Sequence, residues 1–201
     1  AVVDFTQGEL GTRGTPEIRL KEASLAADIM GLSARENLEF RDGFFLNDEI
    51  HQLRVIEVIR KYQPEVVLAN APEDRHPDHG RAARLVEEAV FYSGLKKIET
   101  KVDGNIQSPW RPKLLLNYIQ AVYHKPSLVV DISDFIEQKM KAVEAFSSQF
   151  HVNNSSKKGD QTFISTPQFK NFLRARAAEF GQLIEVPYAE GFLSKRYFGV
   201  K

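Results

Sequence analysis

Two of the chain's five histidines, His76 and His79, stand three residues apart within Asn70-Ala71-Pro72-Glu73-Asp74-Arg75-His76-Pro77-Asp78-His79-Gly80. Pro77 suits the first turn of a helix, which puts His76 at or before the cap and His79 inside the turn. There the helix dipole disfavours imidazolium. A neutral imidazole is the state that can ligate a metal or wait to accept a proton. Asp78 is close enough in sequence to orient one of the rings, as carboxylates behind metal-bound histidines do. On residue types alone the pair fits a helix cap with a surface histidine, or a metal and proton-transfer site. The flanking acids and the polar loop favour the second.

A second loop, Thr6 to Thr15, spaces Gly8, Gly11 and Gly14 three apart. It matches neither a Walker loop nor GxGxxG, so its glycines imply only close approach or a positive φ. Arg13 and Arg19 offer guanidinium forks to a substrate carboxylate. Pairing with Glu17, Glu22 or another surface acid is the competing expectation. His51, His124 and His151 are isolated and read as surface or packing residues. Trp110 reads as part of a loop on a sheet edge, and Tyr188 to Phe192 as pocket lining or a closing loop.

Both loops follow apolar, β-branched runs and lead into helices, and ligands in open α/β sheets bind beyond the carboxyl ends of strands. Strands are expected at Ala1–Phe5, Glu65–Ala69, Lys113–Tyr118 and Ser127–Asp131, with a weaker one at Leu183–Val186. Helical periodicity covers Pro16–Met30, Asp48–Lys61, Pro77–Tyr92 and Ser133–Phe150, and Thr166-Pro167 opens a further helix for which Gly181 is the expected stop. Val102–Pro112 and His151–Gln161 read as loops. The alternation predicts one α/β domain, residues 1–201, with a mostly parallel sheet.

Composition narrows the function. The 201 residues carry 27 Lys+Arg against 27 Asp+Glu, and that balance argues against a general nucleic-acid partner. No apolar run approaches the roughly 20 residues of a membrane helix. With no cysteine, thiol nucleophiles, thiolate zinc sites and disulfides are excluded. A cytoplasmic protein is the expectation.

Asp4-Phe5-Thr6-Gln7-Gly8-Glu9-Leu10-Gly11-Thr12-Arg13-Gly14-Thr15-Pro16-Glu17-Ile18-Arg19, the segment Leu68 to Ala83 and Tyr188-Ala189-Glu190-Gly191-Phe192 together resemble the PIG-L/LmbE-like zinc-dependent deacetylases. Within that family the likeness is to the bacillithiol-biosynthesis type acting on N-acetylglucosaminyl malate. The resemblance runs over essentially the whole chain. It implies a Rossmann-like three-layer fold, one Zn2+ per subunit, a small amino-sugar substrate and a homo-oligomer. It makes His79 a zinc ligand, and His76 the residue that protonates the leaving amine or steadies the oxyanion, with Asp78 tuning it. It gives Arg19 and Arg75 the malate carboxylates and Tyr188, in a mobile loop, an oxyanion contact. The family's AHPDD segment, with its further ligands and base, does not occur in the sequence. The expectation is therefore that a first β-α unit of roughly 30–35 residues is missing ahead of Ala1, and that one of a catalytic zinc's usual three protein ligands is present. The competing expectations are deacetylation of another N-acetylated sugar, or a metal-free sugar- or anion-binding module.

Overall fold

The computed structural model describes residues 1–150 and 160–198. Its strands are β1 (Val2–Asp4), β2 (Arg35–Asn37), β3 (Val66–Ala69), β4 (Lys101–Val102), β5 (Asn105–Ile106), β6 (Leu114–Tyr118), β7 (Leu128–Asp131) and β8 (Ala189–Leu193). The α-helices are α1 (Pro16–Met30), α2 (Glu49–Tyr62), α3 (Pro77–Tyr92), α4 (Ile136–Ala145) and α5 (Pro167–Gln182). The fold is mixed α/β, as expected. The sheets have the strand orders β1-β2, β3-β6-β8-β7 and β4-β5. β1–β2 and β3–β6 are parallel, with Val66 opposite Leu114 and Ala69 opposite Asn117, whereas β8 runs antiparallel to β6.

The chain divides into two compact units, residues 1–42 with 129–190 and residues 43–128 with 191–201. In the first, α1 packs on α4. Its start and stop follow from local chemistry. Thr15 accepts the Ile18 N–H, Pro16 fills the first turn, and Gly31 takes the left-handed conformation that ends the helix. β2 was not anticipated, because Arg-Glu-Asn carries no strand pattern; Arg35 Nε and Nη2 instead fork onto the Asp4 carboxylate of β1 at 2.7 and 2.9 Å.

Three boundaries differ from expectation. α4 ends at Ala145 rather than running to Phe150, because the buried Glu22 carboxylate takes the Ser148 N–H at 2.6 Å and draws the chain out of the helix. Leu183–Val186 forms a turn, the Val186 N–H returning to the Gly181 carbonyl, and the strand comes later at β8. Gly181 is the third. It lies inside α5, where a Cβ would stand 2.4 Å from the Val186 carbonyl oxygen, so its role is close approach and not termination. Gly181→Ala is expected to lower stability by about 1–3 kcal/mol, read as a fall in the urea midpoint.

In the second unit α2 packs on α3, and Phe45, Ile56 and Leu85 are its largest fully buried apolar side chains. Each contributes about 2–3 kcal/mol of burial. Val102–Pro112, expected as a loop, overlaps the β4–β5 hairpin, which begins at Lys101. His151 and the rest of the loop expected there through residue 159 lie outside the described residues. No described helix is long and apolar enough to cross a membrane.

Candidate active site

The loop after β3 enters α3 through His76, whose extended backbone and ring make it the N-cap. Its Nδ1 accepts the Asp78 N–H at 3.3 Å. A backbone N–H can only donate, so His76 Nδ1 carries no proton and the neutral ring holds its hydrogen on Nε2. His79, half-buried one turn on, presents Nδ1 to Asp74 Oδ2 at 2.5 Å. A carboxylate accepts, so this ring is protonated on Nδ1, and in its neutral form it leaves the Nε2 lone pair free. The rings lie 5.3 Å apart between centroids. As neutral rings the two histidines on one turn take opposite tautomers, one offering a donor and the other a ligand.

Asp74 is the hub of this arrangement. Its side chain is wholly buried, and Oδ1 accepts the Ala121 and Val122 N–H groups, each at 2.9 Å. Burial pushes its carboxyl upward, but hydrogen bonds from the His79 ring and the Val122 and Arg75 N–H groups outweigh burial and hold it below its ordinary value. The loops after β3 and β6 are stitched further by Asn117 Nδ2 to the Asn70 carbonyl at 2.7 Å and Asn70 Nδ2 to Gln120 Oε1 at 3.0 Å. His124, expected as a surface or packing residue, joins its Nε2 to the Glu73 carbonyl at 2.7 Å.

The Asp78 carboxylate does not orient either ring; only the residue's backbone N–H meets His76. It is buried, pairs with Arg81 Nη1 at 2.5 Å and accepts the Gly43 N–H at 2.8 Å. Its oxygens are taken by Arg81 and Gly43, and Asp74, five residues before His79, takes the role expected of it. The sequence signal was there in the acids flanking His76, but not which acid faces which ring. Arg75 is exposed between Asp74 and His76.

In the other unit, Arg19 is half-buried, and its Nη2 donates to Gln149 Oε1 at 2.7 Å and to the Arg13 carbonyl at 3.0 Å. It pairs with neither Glu17 nor Glu22. The glycine spacing now has a cause. A Cβ on Gly8 would stand 1.7 Å from Arg19 Nη1, and one on Gly11 1.9 Å from Nη2. The two glycines form the slot that admits the guanidinium. Arg13, expected to fork onto substrate, spends Nε on the Ser148 carbonyl at 2.8 Å and Nη1 on that of Asp160 at 3.2 Å.

Tyr188, expected in a loop, immediately precedes β8. Its N–H donates to Ser133 Oγ at 3.1 Å and its carbonyl accepts the Ile132 N–H at 3.0 Å. Its hydroxyl group meets Arg174, which also forks onto Glu137.

His79 with Asp74 behind it fits one position of a zinc coordination shell, a neutral imidazole whose other nitrogen is bound by a carboxylate. Among the described residues no group of three or more His, Cys, Asp or Glu side chains could hold a metal. The remaining ligands are therefore not assigned.

The family model described as "PIG-L: GlcNAc-PI de-N-acetylase" matches residues 1–90. A diacetylchitobiose deacetylase of Thermococcus kodakarensis is 32% identical over 193 residues, 92% of this chain and 66% of its own length, so the chain spans just under two thirds of that relative. The crystal structure of a conserved protein from Thermus thermophilus superposes with a TM-score of 0.84 at 35% identity, covering 98% of this chain and 82% of that one. An N,N'-diacetylchitobiose deacetylase from Pyrococcus horikoshii, solved with an inhibitor, gives 0.76 at 27% identity, covering 95% and 71%. On its sequence and its fold together, the chain belongs to the PIG-L family.

Proposed function

We propose that this chain carries part of the active site of a hydrolase that removes the acetyl group from an N-acetylated amino sugar. The observation that carries this reading is the paired histidines of one turn, His76 Nδ1 taken by the Asp78 N–H and His79 Nδ1 by the Asp74 carboxylate. The proposed cofactor is a divalent metal, zinc by the family resemblance, held in part by His79 Nε2. Bound there, it would polarise the acetamide carbonyl and lower the pKa of a water molecule.

The chain's own residues then divide the work. Asp74 holds the His79 ring. His76 directs an Nε2–H outward, suited to steadying a tetrahedral oxyanion, a contribution of about 10²–10³ in rate. Proton delivery to the leaving amine would first require a proton on Nδ1, which would break the cap at Asp78. The donor role is therefore favoured over the acid role. Acid or base function for Asp78 finds no support in its pairing with Arg81.

For the substrate we propose an N-acetylglucosaminide with an anionic substituent, such as N-acetylglucosaminyl malate. Arg19 supports this, since its guanidinium meets only neutral acceptors among the described residues. A neutral chitobiose-type substrate is the second reading, favoured by the diacetylchitobiose deacetylase relatives.

His79→Ala is expected to lose metal in elemental analysis of the full chain, whereas His76→Ala retains it and loses turnover. The reverse pattern would exchange the two assignments. Equal metal retention by both variants would remove the metal from His79.

A further inference from the structure

We propose that Gln149 is a positioning residue for Arg19, holding the guanidinium so that its Nη1 edge and its undiminished charge face an anionic group on the ligand. This rests on the substrate reading of Arg19 given above.

The case begins with how the guanidinium is held. Nη2 is occupied by Gln149 Oε1 and the Arg13 carbonyl, and Nε is buried with no hydrogen-bond partner among the described residues. Nη1, lying against Gly8, makes no hydrogen bond to the described residues. No described carboxylate pairs with this cation. A glutamate at position 149 would grip it more firmly but would cancel its charge. An amide orients without neutralising.

The amide is itself oriented, and its polarity can be traced. Glu22, 7% exposed, accepts from Ser148 N at 2.6 Å, Ser148 Oγ at 2.7 Å and Ser147 Oγ at 3.1 Å. The Ser148 hydroxyl proton is thereby committed to Glu22, and its oxygen is left to accept. Gln149 Nε2 donates to that oxygen at 3.0 Å and to the Arg13 carbonyl at 2.5 Å. With Nε2 so fixed, Oε1 must face Arg19. The order of donors from Arg19 through Gln149 and Ser148 ends on a buried acceptor that cannot be reversed without exchanging Glu22.

The experiment measures calorimetric Kd values for N-acetylglucosaminyl malate and for neutral methyl N-acetylglucosaminide, with melting temperatures alongside. The proteins are the wild type, Arg19→Ala, Gln149→Ala, Gln149→Glu and Glu22→Gln. Gln149→Glu is expected to weaken the anionic ligand about tenfold by pairing with Arg19, with the neutral ligand held. It should lower the melting temperature, because its second oxygen meets the Arg13 carbonyl and Ser148 Oγ where the amide donated. Gln149→Ala should weaken the anionic ligand several-fold, on the order of one charge-assisted hydrogen bond. Glu22→Gln, which can donate to Ser148 Oγ and turn the Gln149 amide round, should lower the same selectivity without touching Arg19. A purely structural role would weaken both ligands together, whatever the melting temperature does. If Arg19→Ala alone changes the anionic-to-neutral ratio, the Gln149 proposal falls and the Arg19 reading stands. If Arg19→Ala leaves that ratio unchanged, the substrate reading falls first and takes this one with it.

Discussion

Asp74→Asn is expected to lower metal affinity by about 10–100-fold while leaving the protein folded. The Ala121 and Val122 N–H groups both point at Oδ1, so the asparagine carbonyl oxygen must stay there. Its Nδ2 then faces His79 in place of Oδ2. An NH2 group donates, so His79 Nδ1 has to accept, and the ring proton moves to Nε2. The nitrogen proposed to bind metal loses its lone pair without any change in shape. Chelator competition for zinc gives the affinity, and 15N shifts of the imidazole identify the protonated nitrogen. Wild-type affinity with His79 still protonated on Nδ1 would show that Asp74 does not set this ring.

The same substitution changes the response to acid. Asp74 is held below its ordinary value of 3.8, so its contribution to stability is complete above that value. It fades as pH falls through the lowered native value. Asp74→Asn should lack this acid-side loss in urea titrations between about pH 5 and pH 2.

The largest loss of stability is expected at Arg60. Only 4% exposed, it donates from Nε to the Ser93 carbonyl at 3.0 Å and from Nη2 to that of Leu95 at 2.9 Å. Nη1 reaches the Ile98 carbonyl at 2.7 Å and Thr100 Oγ1 at 2.9 Å. The guanidinium thus closes the C-terminal end of α3 and the turn beyond it. Burial lowers its pKa, but every acceptor it meets is an oxygen suited to a cation. Arg60→Met would keep the volume and strand two of those four oxygens, the Ser93 and Leu95 carbonyls keeping the Trp110 and Ile98 N–H groups. The expected cost is about 3–5 kcal/mol, a large fraction of the roughly 5–15 kcal/mol that holds a domain folded. Arg60→Lys recovers little, since a single ammonium cannot span acceptors arranged around a fork. The chain's one tryptophan, Trp110, donates its backbone N–H to the same Ser93 carbonyl at 3.0 Å, so its fluorescence should follow the transition. An unchanged urea midpoint in Arg60→Met would mean that water replaces the guanidinium at no cost.

Where partners are near in sequence, the residues themselves decide. Thr15-Pro16 and His76-Pro77 set the starts of α1 and α3, and Gly31 the end of α1, because a cap acts within one turn of backbone. The two-histidine loop, its place after a strand and its entry into a helix were legible for the same reason. Partners farther along the chain were not. Asp74 meets Ala121 across 47 positions, and Arg19 meets Gln149 across 130. No periodicity encodes which acid turns towards His79 and which towards Arg81. The route of the chain decides that, by bringing N–H groups from the loop after β6 to one oxygen of Asp74 and leaving the other for the ring. The sequence determined that two imidazoles would stand on one helical turn. Tertiary structure decided which nitrogen of each carries the proton, because a tautomer is set by the hydrogen bond opposite it.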